Sequence, residues 1–307
     1  MSTQTYHQPV LLSECIEGLQ IQPGGVYVDL TFGGGGHSRA ILDKLEGGKL
    51  YAFDQDADAK ENAKELRRKE FTLIEANFRH LRRYLKLYNV RQVDGILADL
   101  GVSSHQIDSA ERGFSTRFQA DLDMRMDQQA SLTAKTIVNT YPEAELHKIL
   151  GMYGEVKNAR TLAAAIVKER FSKPVQTVND LKNILNKFAP RGRENKYYAQ
   201  VFQALRIEVN EELRVLEEML EQTALVLKPG GRLVVLSYHS LEDRLVKNFI
   251  NKGKFSGEVE KDMYGNFQVP FRAVNKKPIE ASEEEIAGNN RARSAKLRIA
   301  ERLEDSQ

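Results

Sequence analysis

The segment Val28-Asp-Leu-Thr-Phe-Gly-Gly-Gly-Gly-His37 joins a short apolar stretch to a predicted helix through four consecutive glycines. Glycines at such a junction let a ligand approach the backbone closely, and the N-terminus of the helix favours a negatively charged group. Asp54 ends the next apolar stretch, 21 residues after Gly33. A carboxylate at that place can accept hydrogen bonds from both hydroxyls of a ribose. Together these features predict a site for an adenosine-type cofactor.

Short apolar strands and helical stretches alternate over the first hundred residues, which is typical of a parallel sheet flanked by helices. Strands are predicted at residues 26–30, 49–53, 72–75 and 93–98, and a helix at residues 37–45. A long helix is predicted at about residues 200–227, followed by a turn at Lys228-Pro-Gly-Gly231 and a strand at residues 232–238. Residues 267–274 and 295–300 are predicted to form a final antiparallel pair of strands.

The middle of the chain has a different pattern. Apolar residues recur at helical spacing between about residues 105 and 198, and no strong strand is predicted there. Pro142 is expected to open one helix, and Thr177-Val-Asn-Asp180 has the form of a capping box before another. The sequence therefore predicts a Rossmann-like α/β domain in two parts, residues 1–104 and 200–307, interrupted by an all-helical domain at residues 105–199.

Length and composition limit the class of protein. With 307 residues and 34.8 kDa, the chain can form two domains that fold without disulfides or metals. Cys15 is the only cysteine, which excludes a disulfide framework, a Cys-rich zinc site and an iron–sulfur cluster. The sequence has no recognisable signal peptide and no apolar run long enough to cross a bilayer. We therefore expect a cytoplasmic protein without a membrane partner or a bound metal.

The net charge of only +2 does not by itself predict a nucleic-acid partner. Basic residues are nevertheless concentrated in two places. Lys and Arg outnumber Glu between Lys60 and Arg91, and a second cluster comprises Arg291, Arg293, Lys296 and Arg298. Such clusters can neutralise phosphates, although a charge run is more often a solvated helix face. The charge pattern therefore leaves an RNA partner open.

Two further details favour one kind of cofactor. A dinucleotide fingerprint requires G-x-G-x-x-G or a close variant, and this chain has Ser38 in place of the last glycine. Leu227-Lys-Pro-Gly-Gly231 precedes a late strand and resembles the turn before the fifth strand of class I methyltransferases. The sequence therefore favours S-adenosylmethionine over a nicotinamide dinucleotide.

The end of the fourth strand is the predicted point of methyl transfer. Asp99, Ser103 and Ser104 are the polar side chains there. A carboxylate or hydroxyl can hold the hydrogens of an aromatic amine, whose lone pair is otherwise drawn into the ring. An equally good interpretation is that Asp99 caps the loop or binds the cofactor. His239, which follows the fifth strand, is a candidate for positioning a base or a phosphate.

Cys15 bears on the atom that is methylated. Methylation at carbon five of cytosine normally uses a cysteine nucleophile. Cys15 lies in a predicted amphipathic helix before the first strand, where packing is the better explanation for it. This disfavours carbon and favours nitrogen or oxygen as the acceptor.

Long and unusual motifs run in order through nearly the whole chain. They are His7-Gln-Pro-Val-Leu-Leu12, Asp29-Leu-Thr-Phe-Gly-Gly-Gly-Gly-His-Ser38, Phe53-Asp-Gln-Asp56, Ala98-Asp-Leu-Gly-Val-Ser-Ser104, Glu111-Arg-Gly-Phe-Ser115, Leu122-Asp-Met-Arg-Met-Asp127, Phe202-Gln-Ala-Leu-Arg-Ile-Glu-Val-Asn210, Ser240-Leu-Glu-Asp-Arg244 and Asn290-Arg-Ala-Arg-Ser-Ala-Lys-Leu-Arg298. Together they resemble the MraW (RsmH) family of 16S ribosomal RNA cytosine-N4 methyltransferases.

The resemblance implies a Rossmann-like class I methyltransferase sheet with an inserted all-helical domain that recognises the substrate. It implies methyl transfer from S-adenosylmethionine to a cytidine amine in the decoding region of 16S rRNA, either as free RNA or in the small ribosomal subunit. Asp54 would hold the ribose, and Phe78 would lie near the adenine. The cofactor-binding candidates are Gly33, Gly35, Gly36, His37, Asp54, Phe78, Asp99 and Gln106. The catalytic candidates are Asp99, Ser103 and His239.

Three other functions are alternatives to this prediction. A small-molecule methyltransferase would use the insert as a lid over the site. An RNA-binding assembly factor would keep a vestigial cofactor pocket. An NAD oxidoreductase is the weakest alternative, because no obvious proton donor lies at the end of the fourth strand. The oligomeric state does not follow from the sequence.

Overall fold

The computed structural model of the chain describes residues 9–257 and 269–304. These residues divide into two compact units. The first contains the chain up to Gly101 and again from Leu213, and the second contains Val102–Glu212. The sequence placed the insert at residues 105–199, so the observed helical unit is longer at both ends and mainly at its C-terminal end. The helix Glu194–Val209 packs its apolar side chains into the core of the helical unit and therefore belongs to that unit.

The first unit is built on a seven-stranded sheet. Its strands are β1 Val26–Asp29, β2 Lys49–Asp54, β3 Phe71–Glu75, β4 Val93–Asp99, β5 Leu227–Ser237, β6 Phe271–Ala273 and β7 Lys296–Arg302. The order is β3-β2-β1-β4-β5-β7-β6; β1 to β5 are parallel, and β7 is antiparallel to both β5 and β6. The predicted parallel strands and the final antiparallel pair are confirmed. Residues 267 and 268 of that predicted pair lie outside the described residues.

Alternating side chains of the central strands fill a hydrophobic core on each face of the sheet. Ile96 and Ala98 of β4 belong to one core, and Leu97 belongs to the other. The helices of this unit are α1 Leu12–Leu19, α2 Gly36–Lys44, α3 Ala59–Ala63, α4 Leu81–Leu87, α11 Glu212–Val226, α12 Ser240–Lys252 and α13 Glu283–Gly288. Within the described part of the chain, no helix has the length and apolar character needed to cross a bilayer.

The second unit is helical and has a hydrophobic core of its own. Its helices are α5 Ser104–Asp108, α6 Ala134–Thr140, α7 Glu143–Met152, α8 Ala159–Ser172, α9 Val178–Leu185 and α10 Glu194–Val209. The predicted capping box is confirmed, because Thr177 Oγ1 accepts a hydrogen bond from Asp180 N at 3.1 Å and Asp180 Oδ2 accepts one from Thr177 N at 3.1 Å. Pro142 is the capping residue immediately before α7, so the helix begins one position after its predicted start.

The single long helix predicted at residues 200–227 is wrong, because the segment forms the end of α10 and all of α11. Between the two helices Glu211 adopts a left-handed backbone conformation with a φ of 49°. Asn210 holds this break through its side chain, whose Oδ1 accepts a hydrogen bond from Met126 N at 2.8 Å and whose Nδ2 donates to Met124 O at 2.9 Å. Contacts with a distant loop therefore interrupt a pattern that is locally helical.

The turn predicted at Lys228-Pro-Gly-Gly231 is also wrong in its position, since these residues lie within β5. The ladder between β4 and β5 shifts register between Val93 and Gly95, so residues 228–231 bulge out opposite Asp94. Gly230 has a φ of 78°, which glycine adopts at little cost. Lys228 Nζ donates to Asp94 Oδ1 at 2.7 Å and ties the bulge to β4.

Candidate active site

The carboxyl ends of the parallel strands lie along one edge of the sheet, which we call the site edge. Asp29, Asp54, Glu75 and Asp99 are the last residues of β1, β2, β3 and β4. Their registers place these ends side by side, since Asp54 is level with Glu75 and Asp99 is level with Leu236 of β5. Ligands of open parallel sheets bind at this edge. The structure thus brings two predicted site residues, Asp54 and Asp99, to the same edge.

Asp54 ties the glycine loop to the site edge. Its Oδ2 accepts a hydrogen bond from Gly33 N at 2.8 Å, and its Oδ1 accepts one from Asp56 N at 2.9 Å. Gly33 O in turn accepts a hydrogen bond from Asn62 Nδ2 at 2.9 Å. An ionised carboxylate has about four lone-pair sites, so the two backbone bonds leave acceptor capacity on each oxygen. That capacity matches the two hydroxyls of a ribose.

The individual glycines of the loop differ in the space around them. A Cβ at Gly35 would lie 2.9 Å from the ring of Phe32, and one at Gly36 would lie 2.3 Å from Pro9. Both glycines are therefore required by packing inside the protein. Within the described residues, a Cβ at Gly34 would meet nothing within 4 Å. Gly34, which the sequence analysis did not single out, is thus the open place of the loop where a ligand can approach the backbone.

The loop ends at the N-terminus of α2, for which Gly35 is the capping residue. No side chain among the described residues caps this end, and the first N–H groups of a helix have no acceptor within it. These groups and the helix dipole favour a carboxylate. S-adenosylmethionine presents both a ribose and a carboxylate. The donors and acceptors around Asp54 and the α2 N-terminus therefore fit the predicted cofactor.

The pH dependence of cofactor binding should report the state of Asp54. Burial raises the pKa of this carboxyl to about 6, although its hydrogen bonds from Asp56 N and Gly33 N lower it. The ionised form is the better acceptor for two hydroxyls, so affinity should be constant well above pH 6 and should fall as the pH drops through it. We expect the Kd for S-adenosylmethionine to rise about tenfold per pH unit below that pKa.

Calorimetric titrations between about pH 5 and 8 measure this dependence. Asp54→Asn keeps the size of the side chain but does not titrate, so the variant should bind more weakly and without the slope. A wild-type affinity that stays constant down to pH 5 would contradict the prediction.

Asp99 is the centre of a hydrogen-bonded cluster at the site edge. Its Oδ1 accepts a hydrogen bond from the Tyr238 hydroxyl at 2.7 Å, and its Oδ2 lies 3.7 Å from His37 Nδ1. Its backbone N–H donates to Thr31 Oγ1 at 2.7 Å. Burial raises the pKa of Asp99, whereas His37 and the Tyr238 hydrogen bond lower it. The side chain is 25% exposed, so a fixed carboxylate remains accessible to a substrate.

The side chains of His37 and Ser38 are engaged within the protein. His37 is 6% exposed, and its Nε2 lies 3.2 Å from Val10 O, which can only accept a hydrogen bond. Nε2 therefore donates to Val10 O, and Nδ1 is the ring nitrogen that faces Asp99. Ser38 Oγ donates to Asp29 Oδ2 at 2.7 Å, which explains the serine that breaks the dinucleotide pattern. A contact between the His37 side chain and the cofactor stays a prediction.

His239 is the capping residue of α12. Its Nδ1 accepts a hydrogen bond from Glu242 N at 3.4 Å, and its Nε2 lies 3.2 Å from Glu242 Oε1. Glu242 Oε2 accepts hydrogen bonds from Tyr238 N at 2.9 Å and from His239 N at 3.3 Å. The His239 ring thus caps the start of α12, and the Glu242 carboxylate holds the backbone of Tyr238. Its role towards a substrate stays a prediction.

Tyr238 and Thr31 are residues of the site that the sequence analysis missed. The rule that identified Asp54 and Asp99, a polar side chain at the end of a strand, also applies to Tyr238, which directly follows β5. Thr31 likewise directly follows the strand predicted at residues 26–30, but its partner is a backbone N–H on the neighbouring strand, which has no signal in the sequence.

Ser103 and Gln106 lie in the helical unit and form a capping box at α5. Ser103 Oγ accepts a hydrogen bond from Gln106 N at 3.1 Å, and Gln106 Oε1 accepts one from Ser103 N at 3.0 Å. Phe78 lies in the sheet unit, half-buried in the short 3₁₀ turn Phe78–His80 that follows β3. The contacts of these three residues with substrate or cofactor stay predictions.

The motifs at residues 111–115 and 122–127 fold together within the helical unit. Arg112 Nη2 donates to Arg125 O at 3.0 Å and to Met126 O at 3.2 Å. Gly113 has a φ of 73°, and a Cβ there would lie 2.4 Å from Asp121 O. The unusual mixture of charge and glycine in these motifs is thus explained by the close approach of two loop segments.

Cys15 is fully buried in α1, which confirms it as a packing residue. Burial raises the pKa of its thiol well above the usual value, and the negative charge of Asp99 raises it further. A thiol that stays protonated is a poor nucleophile. The structure therefore gives Cys15 no role in carbon methylation.

A family model described as the MraW methylase family matches residues 4–303. The chain belongs to the MraW methylase family. Among its relatives, Ribosomal RNA small subunit methyltransferase H of Cytophaga hutchinsonii is 64% identical over 297 residues, which cover 97% of this chain and 99% of that protein. Proteins of the same name from Flavobacterium johnsoniae and Christiangramia forsetii are 56% identical over 303 residues and 57% identical over 304 residues. These two alignments cover 98% and 99% of this chain, and 99% and 100% of the relatives.

Membership of the MraW methylase family confirms the predicted family, the class I methyltransferase fold and S-adenosylmethionine as the cofactor. The chain is therefore a methyltransferase, and the NAD oxidoreductase is excluded. The assignment of Asp54, the glycine loop and Asp99 to the site of methyl transfer stays a prediction.

Proposed function

We propose that this MraW methylase transfers a methyl group to the N4 amine of a cytidine in the decoding region of 16S rRNA, in the cytoplasm. The observation that carries the proposal is Asp99, an accessible carboxylate at the site edge whose other contacts hold it in place. The names of the relatives, which are ribosomal RNA small subunit methyltransferases, support the RNA substrate. The buried thiol of Cys15 supports nitrogen rather than carbon as the acceptor.

The chemistry of an aromatic amine explains the need for such a carboxylate. The lone pair of N4 is delocalised into the cytosine ring, so the amine is a weak nucleophile. When bound, S-adenosylmethionine supplies a methyl group on a positively charged sulfur. Asp99 would accept a hydrogen bond from the amine, orient it, and take the proton that leaves N4 as the carbon–nitrogen bond forms and the bond between the methyl carbon and sulfur breaks, with its electron pair left on sulfur. Tyr238 would hold the carboxylate in that orientation.

The test is transfer of labelled methyl groups to small ribosomal subunits that lack the modification and, separately, to their protein-free RNA. Digestion and mass spectrometry then identify the methylated nucleoside. We expect N4-methylcytidine from at least one substrate, and the ratio of the two yields shows which form is recognised. Asp99→Asn serves as the inactive control.

Each other outcome has a distinct meaning. Methyl groups on carbon five or on an oxygen would refute the proposed acceptor atom. Tight RNA binding without transfer would favour an assembly factor with a vestigial pocket. Transfer to small molecules at a rate that depends on neither RNA nor salt would favour a small-molecule methyltransferase in which the insert is a lid.

The Tyr238→Phe variant should shift the pH dependence of transfer. Phenylalanine keeps the ring but removes the hydroxyl that donates to Asp99 Oδ1. That hydrogen bond lowers the pKa of Asp99, so its loss should raise the pKa. The carboxylate acts when ionised, so the acidic limb of the kcat profile should move to higher pH. Rates well above the pKa should change little.

Tyr84→Phe is the matched control for this variant. The Tyr84 ring packs against Phe53, and within the described residues its hydroxyl forms no hydrogen bond. Rates are measured with saturating cofactor and RNA over about four pH units. An acidic limb that does not move in Tyr238→Phe would limit Tyr238 to a packing role.

A further inference from the structure

We propose that Arg244, Arg293 and Lys296, which we call the edge cations, bind RNA phosphates beside the acceptor site. The inference rests on the proposed function, because it names the surface that would hold the RNA substrate. Two observations support the inference. Some basic residues of this region have an acidic partner whereas the edge cations have none among the described residues, and the edge cations lie at the site edge.

The basic residues of the C-terminal cluster have different environments. Arg298 is 6% exposed, and its Nε and Nη2 donate to the two carboxylate oxygens of Asp243 at 2.7 and 3.1 Å. This bidentate pair joins β7 to α12, and burial keeps the remaining N–H groups of Arg298 away from a phosphate. Arg293 is exposed and Lys296 is half-buried. Over residues 9–257 and 269–304, neither of their side chains forms an ion pair or a hydrogen bond.

All three edge cations lie at the site edge. Lys296, the first residue of β7, pairs with Ser237, the last residue of β5. Arg293 lies in the 3₁₀ turn Asn290–Ser294 directly before β7. Arg244 is exposed near the start of α12, and its side chain also has no ion pair within the described residues. The three charges thus come from separate elements that begin or end where β5 ends and β7 begins.

The edge cations are held on fixed backbone. Ala292 and Ala295, on either side of Arg293, are each 1% exposed and belong to a hydrophobic core of the sheet unit. Lys296 shares a face of β7 with Arg298, because alternate residues of a strand point to the same side. Arg298 in turn is fixed to α12 by its ion pair. A preorganised set of charges loses less conformational entropy when it binds.

The position of these charges suits an RNA that presents a base to Asp99. Asp54, which is proposed to hold the ribose, ends β2, whereas Asp99 ends β4, the strand next to β5. The edge cations are therefore on the amine side of the site edge. Exposed Glu283 and Glu284 begin α13, which packs beside the 3₁₀ turn. They should repel phosphates and limit the surface on that side.

A matched set of cations lies at the other end of the sheet. Arg82, Arg83 and Lys86 of α4 are exposed, and their side chains form no ion pair within the described part of the chain. Helix α4 follows β3, which is at the opposite end of the strand order from β7 and β6. Removing the three charges of either set changes the net charge by the same amount. A comparison of the two variants therefore tests only the position of the charges.

The experiment compares R244Q/R293Q/K296Q with R82Q/R83Q/K86Q in the full-length protein. Binding of protein-free small-subunit RNA is measured at several salt concentrations, and binding of S-adenosylmethionine by calorimetry. We expect the first variant to bind RNA at least about tenfold more weakly, with a slope of log affinity against log salt that is smaller by about 2, since each phosphate contact on a single strand contributes about 0.7. The second variant should stay within about threefold of wild type. Both should bind the cofactor normally.

Equal losses in the two variants would overturn the proposal, because they would reflect total charge and not position. Normal RNA binding by R244Q/R293Q/K296Q would also overturn it. If that variant lost binding only to intact subunits, the surface would contact a ribosomal protein instead of RNA. RNA binding is measured without methyl transfer, so a wild-type protein that binds RNA but forms no N4-methylcytidine would refute the proposed function and not this surface.

Discussion

Asp99→Asn is expected to lower the rate of methyl transfer about 10²–10⁴-fold, the range for loss of a positioned general base. Asparagine keeps the size of the side chain, and its oxygen can still accept the hydrogen bond from Tyr238. The neutral amide cannot take the proton that leaves N4. Because the ribose is assigned to Asp54, the Kd for S-adenosylmethionine should change less than about threefold, which is less than the loss of one hydrogen bond.

Asp94→Asn is the matched control, because Asp94 lies at the opposite end of β4. Its carboxylate accepts hydrogen bonds from Val26 N and Lys228 Nζ, so its loss should reduce thermal stability and leave transfer near the wild-type rate. Single-turnover rates with saturating RNA separate chemistry from binding. Weak cofactor binding by Asp99→Asn, together with a normal rate once bound, would assign Asp99 to the cofactor alone.

The Asp54→Ala variant is expected to bind S-adenosylmethionine at least about a hundredfold more weakly. It lacks the acceptor for two ribose hydroxyls, and a hydrogen bond to a charged group contributes about 1.5–3 kcal/mol. The variant also removes the acceptor of Gly33 N, so the glycine loop loses its tie to the site edge. Calorimetry measures the affinity, and thermal unfolding shows whether the fold persists.

Glu75→Ala provides the control for Asp54→Ala. Glu75 ends the neighbouring strand, level with Asp54, but it is exposed and pairs only with Lys60 among the described residues. Its removal should leave cofactor affinity unchanged. An unchanged affinity of Asp54→Ala for S-adenosylmethionine would refute the assignment of the ribose to this carboxylate.

The parts of the fold and site that could be predicted are those with a local pattern. Apolar runs that end in Asp54 and Asp99 identify strands and their carboxyl ends, and the parallel arrangement places those ends at one edge. The capping box at Thr177 is likewise complete within four residues. Each of these predictions needed only neighbours along the chain.

The two errors in the fold arose where a distant partner overrides a local pattern. Helical spacing continues through Glu211, but Asn210 is bound to the loop that contains Met126, and the helix breaks there. Lys228-Pro-Gly-Gly231 is typical of a turn, but Lys228 pairs with Asp94 and the segment becomes a bulge within a strand.

The sequence by itself determined the α/β fold, the strand ends that carry the site and the class of cofactor, whereas the tertiary structure decided which side chains meet. Tyr238 and Asp99 are 139 positions apart, and their oxygens come within 2.7 Å because β5 lies beside β4. Arg293 and Arg298 belong to one basic run, but Arg298 is buried and pairs with Asp243, whereas Arg293 is exposed. The spacing of residues along the chain determines where a strand or helix ends. Which side chains contact each other across the sheet depends on strand order and burial, and the local spacing does not encode these.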